Sequence, residues 1–249
     1  MLLHSSASSF ARVRAARPGW RLARLGVALR RRLAVLAAGL CVAVAAPAAL
    51  AHPHMWIDAR ATLVFDAQGR MAAVQQHWRF DEMFAAYAAQ GLPTEKDGSL
   101  SAKTMQAMAD DWMQALGEPI SHFFTTVEVD GRKQAFGKPR EARVTRDAKG
   151  LLALSFVLPL AKPAAPGAKG VQVDVFDPTY FVAYAFDEPD AVTLRAAPAG
   201  CKESYRSPKP LDWKTMQELA AIPADADGLP EELLAITKGL THRIEVACS

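Results

Sequence analysis

Residues 55–80, MWIDARATLVFDAQGRMAAVQQHWRF, decide the fold. From Met55 to Phe65 apolar and polar side chains roughly alternate, the period of a strand with one buried face. Asp66-Ala67-Gln68-Gly69-Arg70 supplies turn chemistry and Met71 to Phe80 again reads extended, so the segment predicts a β-hairpin. A two-residue turn at Ala67-Gln68 sets His77 opposite Asp58, Arg79 opposite Trp56 and Asp81 opposite His54. Because alternate residues share a face, His54, Asp58, His77 and Asp81 then gather on one side, with Met55, Ile57, Leu63 and Phe65 on the other. A bulge at Gly69 would instead slip the register by one residue and turn His77 to the opposite face.

C-terminal to the hairpin, Asp81 caps a helix running to about Gln90, with Met83, Phe84 and Tyr87 at helical spacing, and Gly91-Leu92-Pro93 ends it. Ser101 caps a second helix to Leu116, whose apolar stripe is Met105, Met108, Trp112 and Leu116. From His122 the pattern returns to strands: FFTTVEVDG, EARVTRD, LLALSFVLPL, VQVDVFD and a piece from Ala191 to Ala196. Short helices are expected near Trp213 to Ala221 and Pro230 to Thr237, and a last strand from His242 to Val246. An early hairpin, two inserted helices and an antiparallel remainder define an α+β class, mostly antiparallel β and sandwich-like.

N-terminal to the hairpin, the first 51 residues hold eight arginines and no acidic residue, and end in the apolar run LAVLAAGLCVAVAAPAALA, Leu33 to Ala51. A basic stretch, an apolar stretch and a small-residue Ala49-Leu50-Ala51 end make a secretory signal, cleaved after Ala51. Residues 52–249 then form a single periplasmic α+β domain. Cleavage lowers the basic residues from 29 to 21 against 26 acidic ones, a net charge of −5. The basic precursor is therefore no argument for nucleic acid as a partner. Cys41 leaves with the signal, and the remaining Cys201 and Cys248 form a disulfide in an oxidising compartment. Closing a loop of about 48 residues stabilises by on the order of 4 kcal/mol in the chain-entropy view.

Cleavage also makes His52 the first residue, offering an α-amine and an imidazole to one metal ion, much as a copper-binding histidine brace does. Pro53 has no amide hydrogen, which excludes the amino-terminal motif that needs a deprotonated second amide. With His54, Asp58, His77 and Asp81 on the neighbouring face, the first shell is rich in nitrogen and oxygen, suited to zinc, nickel, cobalt or copper(II). His122 and His242 stand alone and are distant ligands at most. The turn Asp177-Pro178-Thr179-Tyr180 could line a site or be held by its own side-chain hydrogen bonds. The sequence holds no zinc-protease helix, nucleophile elbow or phosphate-cradling glycine loop, and a non-enzymatic role is expected.

HPHMWIDAR at 52–60, FDEMF at 80–84 and VFDPTYFVAY at 175–184 together resemble a bacterial family of unknown function. Its members are described as periplasmic components of an uncharacterised ABC-type transport system, and they accompany nickel/cobalt permeases and sometimes zinc uptake systems. The resemblance spans nearly the whole mature chain and implies divalent-metal handling beside a membrane permease or ABC-type transporter. A hinged binding protein would have two α/β lobes around a cleft, and no alternating βαβ pattern is present. An accessory or metallochaperone role suits the chain better. Amino-terminal sequencing of the exported protein should begin at His52; a start at Met1 would remove the terminal metal site.

Overall fold

In the computed structural model, which describes residues 53–221 and 231–248, residues 55–80 fold as the antiparallel strands β1 (Met55–Phe65) and β2 (Met71–Phe80). Odd positions of β1 from Ile57 to Phe65 are buried, and on β2 the buried partners include Val74, Gln76, Trp78 and Phe80. The expected pairing is corrected. Asp58 lies opposite Arg79, Arg60 opposite His77, and the two-residue turn is replaced by a three-residue loop closed by the Asp66 amide bonding the Arg70 carbonyl (2.9 Å). Asp66 builds that loop, its carboxylate accepting from the Gln68 amide (3.0 Å) and the Arg70 amide (2.9 Å). Gly69 takes a φ of 72°, a conformation glycine adopts without steric cost. Phe65 then pairs with Met71 but Val64 with Ala73, so a second slip follows the first. One slip turns a strand over and two turn it back. His77 consequently keeps the outer face while its partner changes.

Further strands complete two sheets: β3 (Thr125–Val129), β4 (Arg132–Lys133), β5 (Arg140–Arg146), β6 (Leu152–Ala164), β7 (Val171–Val175), β8 (Val182–Ala185), β9 (Val192–Arg195), β10 (Cys201–Arg206) and β11 (His242–Cys248). One sheet runs β5-β6-β2-β1-β8, with β9 also on β1; the other runs β10-β11-β7-β3-β4. All pairings are antiparallel except those of β8 and β9, which sit in tandem along the free edge of β1, parallel to it. Inward residues of both sheets, among them Leu63, Trp78, Phe156, Val127, Val173 and Ile244, join one hydrophobic cluster. The α+β, largely antiparallel class read from the sequence is the class observed.

Helices α1 (Glu82–Ala89) and α2 (Ala102–Leu116) follow the hairpin, capped by Asp81 and Ser101, each accepting from the amide three residues on. Phe84 and Trp112 stack against Phe80, with centroids 4.8 and 5.0 Å away. Met83 and Tyr87 instead face outward, 64% and 74% exposed, so the expected α1 stripe narrows to Phe84. Helices α3 (Trp213–Ala220) and α4 (Glu231–Lys238) precede the final strand.

Two features were not anticipated. His122, Phe123 and Phe124 all have φ near 50°, three successive left-handed residues without glycine, a conformation that costs on the order of 1 kcal/mol per residue. The turn is held by the Phe124 amide on the Ser121 carbonyl (2.6 Å) and the Thr125 hydroxyl on the Phe123 carbonyl (2.8 Å). The other is β10, an edge strand whose charged, exposed residues carry no apolar alternation. Its place is fixed by the ladder to β11 and by the Cys201–Cys248 disulfide, which joins register partners. Replacing both cysteines by alanine should lower Tm by about 10 °C, as expected for about 4 kcal/mol in a domain of this size. An unchanged melting curve would show the bridge to be dispensable.

Candidate functional site

Three of the residues expected to bind metal have structural partners. Asp81 accepts from the Phe84 amide through one carboxylate oxygen and from the Trp56 amide through the other, both at 2.8 Å. It therefore sits opposite Trp56, where the sequence had suggested His54. Asp58 forms a salt bridge with Arg79. His77 meets the Ser155 hydroxyl through Nδ1 at 2.8 Å. Burial, then the guanidinium groups of Arg60, Arg143 and Arg79, push its imidazole below the ordinary value.

Asp58 and His77 do share a cavity of about 220 Å³, and Asp187 and Glu188 line it as well, but Arg60 and Arg79 belong to the same wall. An added divalent cation would meet those guanidinium charges. Among the described residues no group of three or more His, Cys, Asp or Glu side chains is placed to hold a metal ion. His52 lies outside the described residues, as does the signal. His54 is fixed at the entrance to β1: its amide bonds the Phe181 carbonyl (2.9 Å) and its ring stacks on Phe181 at 4.6 Å.

A second group of residues lies at the far end of the sequence. The Asp177 carboxylate accepts from the Thr179 amide (2.8 Å), the Thr179 hydroxyl (2.7 Å) and the Val182 amide (2.9 Å), so of the two roles weighed for it, Asp177 holds the turn. Tyr180 takes a φ of 55° there. Beyond the turn, β8 carries Tyr184, and across from it β11 begins with the buried His242. The His242 Nδ1 meets the Tyr205 hydroxyl of β10 at 2.7 Å. These residues border a crevice of about 530 Å³ that includes Asp177, Tyr180 and Asp187.

Sequence reading set His242 aside as solitary and gave Tyr205 no role. Tyr205 lies 37 positions away and becomes a neighbour only through the β10–β11 pairing, with no local motif to announce it.

Burial depresses the His242 pKa to about 4, outweighing the opposing influences of Asp187 and the Tyr184 carbonyl. The unfolded imidazole titrates near 6.5, so below that pH the unfolded chain takes up the proton first and stability falls until about pH 4. At pH 4.5 the loss from this group is about 2.5 kcal/mol. Asp177, whose pKa burial raises, acts in the opposite sense across the carboxylate range. Denaturant unfolding at pH 7 and 4.5 should therefore show a smaller acid loss for His242→Gln than for the parent. Equal losses would mean that His242 takes up its proton as readily folded as unfolded.

Comparison with known proteins adds a relationship but no activity. An "Uncharacterized protein" of Haemophilus influenzae (strain Rd) is 26% identical over 161 residues, covering 64% of this chain and 74% of that protein. A family model described as "Protein of unknown function (DUF1007)" matches residues 37–248, which takes in both strands of the hairpin, the crevice and both cysteines of the disulfide. With the match covering most of its length, the chain belongs to the DUF1007 family.

Proposed function

We propose that this protein is an exported, non-catalytic accessory of a divalent transition-metal transport system, binding its ion at the mature N-terminus through His52 and His54 and working beside a membrane permease. The observation that carries this reading is the anchoring of His54 on Phe181, because it holds the start of the mature chain at one place on the molecule. A ligand fixed in advance gives up less conformational freedom on binding than one on a free tail. In this reading Asp58, His77 and Asp81 keep their salt bridge and hydrogen bonds, and the terminal pair supplies the ligands. The ion is zinc, nickel, cobalt or copper, for which imidazole and amine nitrogens are suitable donors. The family resemblance noted in the sequence supplies the transport context.

A second reading, a protein-interaction module that docks on the permease, has its own observation in favour. Trp56 is 51% exposed at the start of β1, and its register partner Asp81 caps the helix that presents Met83 and Tyr87 to solvent. Large exposed apolar side chains near one another mark contact surfaces. The two readings are compatible, since the same end of the molecule would carry the ion and meet the partner.

Calorimetric titration of protein beginning at His52 with zinc, nickel, cobalt and copper tests the metal site. One ion should bind stoichiometrically, and an added N-terminal alanine or His54→Ala should weaken it at least tenfold, while His77→Ala should not. Unchanged affinity in both terminal variants would remove the site. Binding of no ion, with retained capture of the permease in the presence of chelator, would leave the docking module.

A further inference from the structure

We propose that the crevice bordered by Tyr180, Tyr184, Tyr205 and Asp187 is a second binding site, for an organic ammonium ion. Its volume of about 530 Å³ lies within the range of small-molecule sites. Nothing in the metal reading uses it.

The chemistry of the ligand follows from what the crevice offers. Its lining includes the rings of Phe176, Tyr180, Tyr184 and Tyr205, and rings present a negative face to which cations are drawn, most effectively where water is excluded. The Tyr205 and His242 rings are nearly parallel, 10° apart, and the bond between them fixes the position of the Tyr205 ring. His242 brings no positive charge at neutral pH, because burial holds its imidazole well below the ordinary range. Beyond its bond to His242, the Tyr205 oxygen keeps a lone pair for a donor from the ligand.

Charge points the same way. Two carboxylates, Asp177 and Asp187, line the crevice against one ammonium, that of the exposed Lys209. Asp177 is buried and committed to its turn. Asp187 is exposed at the rim and enters no hydrogen bond or salt bridge among the described residues, so it is free to meet an incoming cation. An anionic ligand would face both carboxylates. Tyr184 is 8% exposed and lines the crevice, and its buried hydroxyl has no hydrogen-bond partner among the described residues. A buried hydroxyl left in this state costs on the order of 1–3 kcal/mol.

The ammonium could belong to a free small amine or to a lysine side chain of a peptide, and the test separates the two. Protein beginning at His52 is titrated, with chelator present so that the terminal metal site plays no part, against choline, tetramethylammonium and Nα-acetyl-lysine methylamide. Potassium chloride at equal ionic strength is the control. Saturable binding with Kd of millimolar or tighter is expected for at least one of the three, quaternary ions marking a free amine and the blocked lysine a peptide. Asp187→Asn, at an exposed position that leaves folding intact, should weaken binding at least fivefold. Tyr205→Leu should do the same, and Tyr205→Phe, which keeps the ring, should retain more affinity than Tyr205→Leu. No saturable binding of any ammonium below 50 mM, or an unchanged Kd in Asp187→Asn, would overturn the proposal.

Discussion

Strand β1 is hydrogen-bonded along both edges, to β2 on one side and to β8 and then β9 on the other, and the remaining structure takes its orientation from it. Alternation along a strand leaves no freedom once one face is buried. Ile57, Ala59, Ala61, Leu63 and Phe65 enter the core, and Trp56, Asp58 and Arg60 are thereby sent outward. At the open end of the hairpin a single carboxylate, that of Asp81, accepts from the Trp56 amide of the sheet and from the Phe84 amide of α1. Sheet and helix are thus tied at one residue. The approach of Phe84 to Phe80 follows from that joint.

Local signals were legible in the sequence. The caps Asp81 and Ser101, the α2 stripe and the alternation of VQVDV are properties of a few adjacent residues, and each element lies within a residue or two of where these signals put it. The outer face of His77 was also legible, though by a route the sequence does not reveal. The loop at Gly69 and the irregularity between Val64 and Phe65 each shift the ladder by one residue, and their effects cancel in side-chain direction but not in pairing. The tandem β8 and β9 and the edge strand β10 were not legible in the same way. β10 has no alternation, and the parallel partners of β1 lie more than a hundred residues away.

The candidate site divides along the same line. Whether His54, Asp58, His77 and Asp81 share a face is a question of parity, which the sequence answers only for an assumed turn. Whether they are free to bind an ion depends on Arg79, Ser155 and the amides of Trp56 and Phe84, the first three placed by cross-strand register and the last by the helix cap. The crevice is a more extreme case. Tyr184, Tyr205 and His242 come from three strands in two different sheets, and no window of sequence contains them together.

The same disulfide that fastens β10 has a further consequence. Because β10 contributes almost nothing to the core, losing the bridge would let the strand peel from β11 without disturbing the rest of the sheet. The uncovered edge of β11 would present unpaired amides and carbonyls, a template on which another extended chain can add. Peeling would also carry Tyr205 away from His242, so a reducing environment would at once open a route to strand-mediated self-association and release the imidazole from its phenolic partner. The thiol state of two cysteines at the end of the chain is in this way linked to the hydrogen bonding of a histidine in its interior.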